Sequence, residues 1–173
     1  PGDIILTTGI HGLSKLGFMI QNKISFENNV SLAERLINKS IKHFCRPKVY
    51  PNFLKNLLQT QSNKKIKRIG CTDSSDGLFQ ALQDLAIASD CKAILNYEKI
   101  PKDKDWPKGD KWDEYYFFGG EDYELVFSLP KKWAKNLSKL DKDINEIGFF
   151  ADGEPSIEFN DNKKNILFNN TTF

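Results

Sequence analysis

Two short acidic turns carry the residues best suited to chemistry. They are Thr72-Asp73-Ser74-Ser75-Asp76-Gly77-Leu78 and Gly119-Gly120-Glu121-Asp122-Tyr123-Glu124-Leu125, and each joins oxygen ligands to a glycine hinge. In the first, Asp73 and Asp76 stand three apart where a strand gives way to a helix, so both carboxylates can face one solvent pocket. Magnesium prefers oxygen ligands and is commonly held by one or two carboxylates together with substrate phosphates. Ser75 adds a hydroxyl, and the first amides of the following helix could meet an anion. Plain N-capping by Ser75 or Asp76 accounts for the same residues, and the spacing leaves both readings open.

In the second turn, Glu121, Asp122 and Glu124 crowd behind a Gly-Gly pair. Carboxylates this close repel unless a cation, donors or water separate them. If the backbone alternates, Glu121 and Tyr123 project to one side and Asp122 and Glu124 to the other, so at most two of the acids share a site. A hairpin entrance with solvated acids is the competing expectation.

The elements that must position these turns follow from periodicity. Ile4 to Thr8 reads as a β-branched strand, and Gly12 to Gln21 as a short helix with a crowded apolar face. Ser31 to Cys45 forms a helix that Ser31 can cap with Glu34, and Phe53 to Thr60 a shorter one. Lys67 to Thr72 leads as a strand into the first turn, and Gly77 to Ser89 leaves it as an amphipathic helix. Cys91 to Tyr97 is a further strand, and the Lys/Asp-rich stretch from Pro101 to Trp112 reads as a solvated surface loop. Beyond the second turn come a strand over Tyr123 to Leu129, a helix over Lys131 to Leu140, and strands over Ile144 to Phe150, Ser156 to Phe159 and Ile166 to Phe168. This mixture predicts a layered α/β or α+β domain, a mixed sheet flanked by helices.

Composition excludes several classes. The net charge of +2 comes from nearly balanced acids and bases, and the run Lys64-Lys65-Ile66-Lys67-Arg68 is too short for a basic face, which argues against nucleic acid as a partner. Three scattered cysteines without a Cys-x-x-Cys pair argue against zinc and against a disulfide framework. No apolar stretch is long enough to span a bilayer, so no membrane partner and a cytoplasmic location are expected. His11 reads as a loop histidine, and His43, late on a helix, as a charged C-terminal cap. The tryptophans and the aromatic run Tyr115 to Phe118 are expected to fill the core.

Taken together, Asp73-Ser74-Ser75-Asp76-Gly77-Leu78 before a helix and Gly119-Gly120-Glu121-Asp122-Tyr123-Glu124-Leu125 before a strand resemble the C-terminal domain of the thiamine-monophosphate kinases, in the aminoimidazole ribonucleotide synthetase-related superfamily. The opening Gly2-Asp3-Ile4-Ile5-Leu6-Thr7-Thr8-Gly9 resembles that family's entrance to the same domain. The resemblance implies the aminoimidazole ribonucleotide synthetase-like fold, with residues 1–173 as one domain, the C-terminal half of a two-domain kinase whose N-terminal ATP-binding domain is absent from the chain. It implies magnesium and ATP, transfer of the γ-phosphoryl group to thiamine monophosphate, and a homodimer in the full-length enzyme, the fragment alone being inactive. It makes Asp73 and Asp76 metal ligands, Ser75 a nucleotide contact, Glu121 a substrate contact and Phe173 the aromatic that helps enclose the substrate. No residue is assigned as a general base. Ser74 departs from the family, which usually has an apolar residue there. Two other readings stay open: another ATP-using member of the superfamily, and a non-catalytic binding or assembly module that keeps the fold.

Overall fold

The computed structural model describes residues 1–26, 30–59 and 68–160. Phe173, the expected strand from Ile166 to Phe168 and most of the basic run lie outside them. Strands β1 (Asp3–Thr8), β2 (Gly70–Asp73), β3 (Lys92–Leu95), β4 (Leu125–Pro130), β5 (Ile144–Ala151) and β6 (Ser156–Phe159) form a sheet in the order β2-β4-β1-β5-β3-β6. Neighbours are antiparallel except β3 and β6. The expectation of a mixed sheet flanked by helices holds.

β1 is buried along its whole length, and its side chains feed two cores in alternation. Ile5 packs with helices α1 (Leu13–Gln21), α2 (Glu34–Cys45), α4 (Leu78–Ser89) and α5 (Asp110–Phe118) through Leu16, Leu36, Leu82 and Phe117. Ile4 and Leu6 meet α3 (Phe53–Gln59) and α6 (Lys131–Leu140) through Leu57, Ala134 and Leu137. The period of two along a strand therefore builds a helix-sheet-helix sandwich, with every buried face covered. Pairing between β1 and β5 slips by one residue between Ile5 and Leu6, leaving Ile147 as the extra residue of a bulge.

Two local expectations fail. Helix α2 starts at Glu34 with Ala33 as its N-cap and no side-chain cap, so the Ser31 capping box is not used. The stretch expected to be a solvated loop contains the start of α5 and buries Trp106 and Trp112. Within it, Asp103 is 5% exposed and paired with Arg35 and Lys39. Lysine and aspartate in alternation look like a solvated surface, and only the approach of α2 turns one of them inward.

Candidate functional site

Strand register brings the two acidic turns together. Asp73, the last residue of β2, lies directly opposite Leu125, the first of β4, so the turn leaving β2 and the turn entering β4 share one end of the sheet. Main-chain bonds then join them. The Ser74 N–H donates to the Glu124 carbonyl (2.9 Å) and the Glu121 N–H to the Ser75 carbonyl (2.8 Å). The buried Ser74 hydroxyl accepts from the Glu124 N–H at 3.1 Å. Serine at the position where an apolar residue was expected thus supplies one of the bonds between the turns. Gly120 packs so closely that a Cβ there would run into the Ser75 carbonyl oxygen.

The first turn presents its acids to solvent. Asp73 and Asp76 are both exposed, and Asp73 Oδ1 accepts from the Ser75 N–H (3.2 Å) and hydroxyl (2.7 Å), which orients its carboxylate. Helix α4 begins after Gly77, at φ +97°, with no side-chain cap, so neither Ser75 nor Asp76 serves as the N-cap. Gly77 meets the backbone of Phe117 and Phe118 and cannot take a side chain without strain.

The second turn divides its acids. Glu121 and Tyr123 are exposed while Asp122 and Glu124 are 0% and 1% exposed, so the expectation of solvated acids at a hairpin entrance is overturned. The alternation does arise, but outside the strand, because Glu121 (φ +68°) and Tyr123 (φ +53°) adopt left-handed backbone. Asp122 accepts from the N–H groups of Gly12 (2.5 Å) and Ser14 (2.8 Å), supplying from a distant loop the cap that helix α1 lacks locally. Burial nonetheless pushes its carboxyl up to about 7. Glu124 accepts from the Thr8 hydroxyl (2.5 Å), and burial likewise raises its pKa.

His43 lies 3.5 Å from Asp122 and is mostly buried. Burial first, and the charge of Lys39 second, lower its pKa, which works against the charged cap that its place on α2 suggests. His11 is fully buried, 2.6 Å from the Thr7 hydroxyl, with its pKa lowered to about 3 by burial and by His43. It belongs to the core and not to a loop surface.

Beside Glu121 opens a cleft of about 300 Å³ lined by Ser14, Lys15, Phe18, Phe44, Gly120 and Glu121. Phe18 is 40% exposed and meets Phe44 edge-on at 5.8 Å. The joined turns thus bring Asp73, Ser75, Asp76 and Glu121 into one region. The residues that sequence reasoning missed are the buried ones, Ser74, Asp122, Glu124 and His43. For Asp122 and Glu124 the sequence signal is the alternation after Gly119-Gly120, which says nothing of Ser74 or His43.

The hydroxyl and carboxylates of the first turn are hard oxygen donors, the donor type magnesium takes. Among the described residues, neither Asp73 nor Asp76 is in an ion pair with lysine or arginine, so the donor set fits a divalent cation. The same residues contain no group of three or more His, Cys, Asp or Glu side chains that could hold one unaided. Nor is any described helix long and apolar enough to cross a membrane.

Residues 1–157 match the family described as AIR synthase related protein, C-terminal domain. The chain belongs to this family. Among curated members it is 35% identical over 153 residues to the thiamine-monophosphate kinase of Prochlorococcus marinus, covering 88% of this chain and 46% of that protein. To the thiamine-monophosphate kinase of Buchnera aphidicola (subspecies Schizaphis graminum) it is 32% identical, covering 99% of this chain and 52% of the relative. The chain therefore spans about half the length of the curated relatives it matches. A solved member, described as AaThiL complexed with AMPPCP and TMP, superposes with a TM-score of 0.67 at 27% identity, covering 90% of this chain and 47% of that one.

Proposed function

We propose that this chain is the C-terminal half of a thiamine-monophosphate kinase. The observation that carries the reading is the joining of the two acidic turns, which leaves Asp73, Asp76 and Glu121 exposed around one set of main-chain bonds. The relatives named thiamine-monophosphate kinase and the AaThiL complex with AMPPCP and TMP support the choice of substrates.

In this reading the acceptor is thiamine monophosphate. An oxygen of its phosphate forms the new bond to the γ-phosphorus of ATP, the bond to the β,γ-bridging oxygen breaks, and thiamine diphosphate and ADP leave. The acceptor phosphate is already largely ionised near neutral pH, so no side chain is needed as a base. Asp73 and Asp76 would hold magnesium, which would supply charge neutralisation for the phosphates that must approach each other. Ser75 fixes the Asp73 carboxylate through its hydroxyl and contacts the nucleotide. Glu121 contacts the thiamine moiety at the mouth of its cleft, and Phe173, outside the described residues, helps to enclose it. In the full-length enzyme an N-terminal domain supplies the rest of the nucleotide site, and that enzyme is a cytoplasmic homodimer.

The test is a full-length protein in which this chain follows the N-terminal half of the Prochlorococcus marinus relative, with folding and assembly checked by gel filtration. Thiamine diphosphate should form from ATP and thiamine monophosphate, and Asp73→Asn with Asp76→Asn should reduce its rate at least a hundredfold, about 2.7 kcal/mol of barrier. A folded, assembled protein without transfer, or full activity in the double variant, would sink the reading.

A further inference from the structure

The Glu121 cleft has three walls from three separate elements. Ser14, Lys15 and Phe18 come from α1, Phe44 from α2, and Gly120 and Glu121 from the second turn. No regular hydrogen-bond ladder joins a helix to a loop, so their spacing needs some other tie. One buried side chain reaches all three. Asp122 follows Glu121 in the chain, accepts from the Gly12 and Ser14 N–H groups at the start of α1, and lies 3.5 Å from His43, the neighbour of Phe44 on α2.

We infer that Asp122 is a positioning residue that sets the width of the Glu121 cleft and the direction of the Glu121 side chain, and so the affinity for the acceptor. The inference rests on the kinase reading above. Asp122 has no exposed surface and does not itself touch the acceptor. It acts through its neighbours. Both Glu121 and Tyr123 hold left-handed backbone, a conformation that surrounding structure must enforce, and the carboxylate between them is bonded to main chain more than a hundred residues away. A carboxylate can accept from two N–H groups at once, whereas an amide of the same shape sets an N–H against one of those donors. Aspartate is therefore needed for its two acceptors as much as for its size.

The full-length protein described above tests this with Asp122→Asn. The KM for thiamine monophosphate should rise about tenfold, the KM for ATP should stay within about twofold, and the effect on kcat should be smaller than on the acceptor KM. A general loss of folded protein would lower the active fraction without splitting the two KM values. In the 173-residue chain by itself, the Gly12 and Ser14 amides should exchange their hydrogens at least about tenfold faster in the variant. An unchanged acceptor KM, equal changes in both KM values, or unchanged exchange at these two amides would overturn the proposal. If Asp122→Asn does not fold, His43→Gln carries the test, since it changes the side chain that Asp122 faces on α2 and leaves both α1 amides capped. A raised acceptor KM there supports the role, and an unaltered one overturns it. Should the unsubstituted full-length protein transfer no phosphoryl group, the kinase reading fails first and this proposal with it; transfer at an acceptor KM indifferent to Asp122 removes the positioning role alone.

Discussion

The two acidic turns look alike as sequence and are opposite as structure. Thr72 to Leu78 leaves both aspartates in solvent and spends its one buried polar side chain, Ser74, on the neighbouring turn. Gly119 to Leu125 sends Glu121 outward and buries Asp122 and Glu124, each bonded to donors from the start of the chain. The difference lies in what meets each turn. β1 and α1 pack against the second and offer it hydroxyl and main-chain donors, while the first faces outward from β2 at the edge of the sheet. Acidic clusters therefore divide into those that recruit ligands and those that organise the scaffold, and the neighbouring donors decide which.

The largest expected effect tests that division by pH. Burial outweighs the two N–H bonds to Asp122, holding its pKa at about 7 in the fold against an ordinary 3.8. The folded state then keeps a proton that the unfolded chain has released. Its contribution is constant below 3.8, falls as pH rises through the window to about 7, and is flat above it, at about 1.4 kcal/mol per pH unit. Stability measured by urea unfolding at several pH values should show this slope as the difference between the parent chain and Asp122→Asn. A difference independent of pH would mean that Asp122 stays ionised and that the two turns are electrostatically alike.

Breaking the join between the turns ranks next. Gly120→Ala places a methyl group against the Ser75 carbonyl oxygen, a backbone atom that cannot swing aside, and should cost about 3 kcal/mol of stability. Ser74→Ala leaves the Glu124 N–H without its acceptor and should cost about 1–2 kcal/mol. Thermal unfolding of both variants checks the order. If Ser74→Ala proved neutral, the hydroxyl would not be part of what holds the turns together.

Much of the fold was legible because one residue pattern had one physical solution. The β-branched run of β1, the helical period of α4 and α6 and the apolar run after the second turn each predicted an element found close to its expected bounds. Asp73, Asp76 and Glu121 were legible for a related reason: exposed carboxylates on glycine hinges need no tertiary partner to be noticed. What stayed hidden depended on partners distant in sequence. Asp103 is buried only because Arg35 and Lys39 arrive from α2, and the pKa values of His11 and His43 are lowered because other elements pack over them. Asp122 could be assigned to the side opposite Glu121 by alternation, yet nothing local announces the Gly12 and Ser14 donors that await it. Ser31 shows the converse, a capping pattern present in sequence that the start of α2 at Glu34 does not use.

The smallest expected effect sharpens the contrast within the second turn itself. Glu121 is exposed and in left-handed backbone, so its side chain should contribute little to folding while its conformation costs something. Glycine adopts that backbone without penalty but loses more entropy on folding, and the two terms nearly offset. Glu121→Gly should therefore raise stability by about 0.5 kcal/mol or leave it unchanged, whereas removal of Asp122, one residue away, should destabilise, and most strongly at low pH. In the full-length protein the same Glu121→Gly change should weaken acceptor binding. Stability gained with function lost is the expected mark of a residue kept for its ligand. A destabilisation beyond about 1 kcal/mol would instead place Glu121 with Asp122 and Glu124 among the acids that build the scaffold.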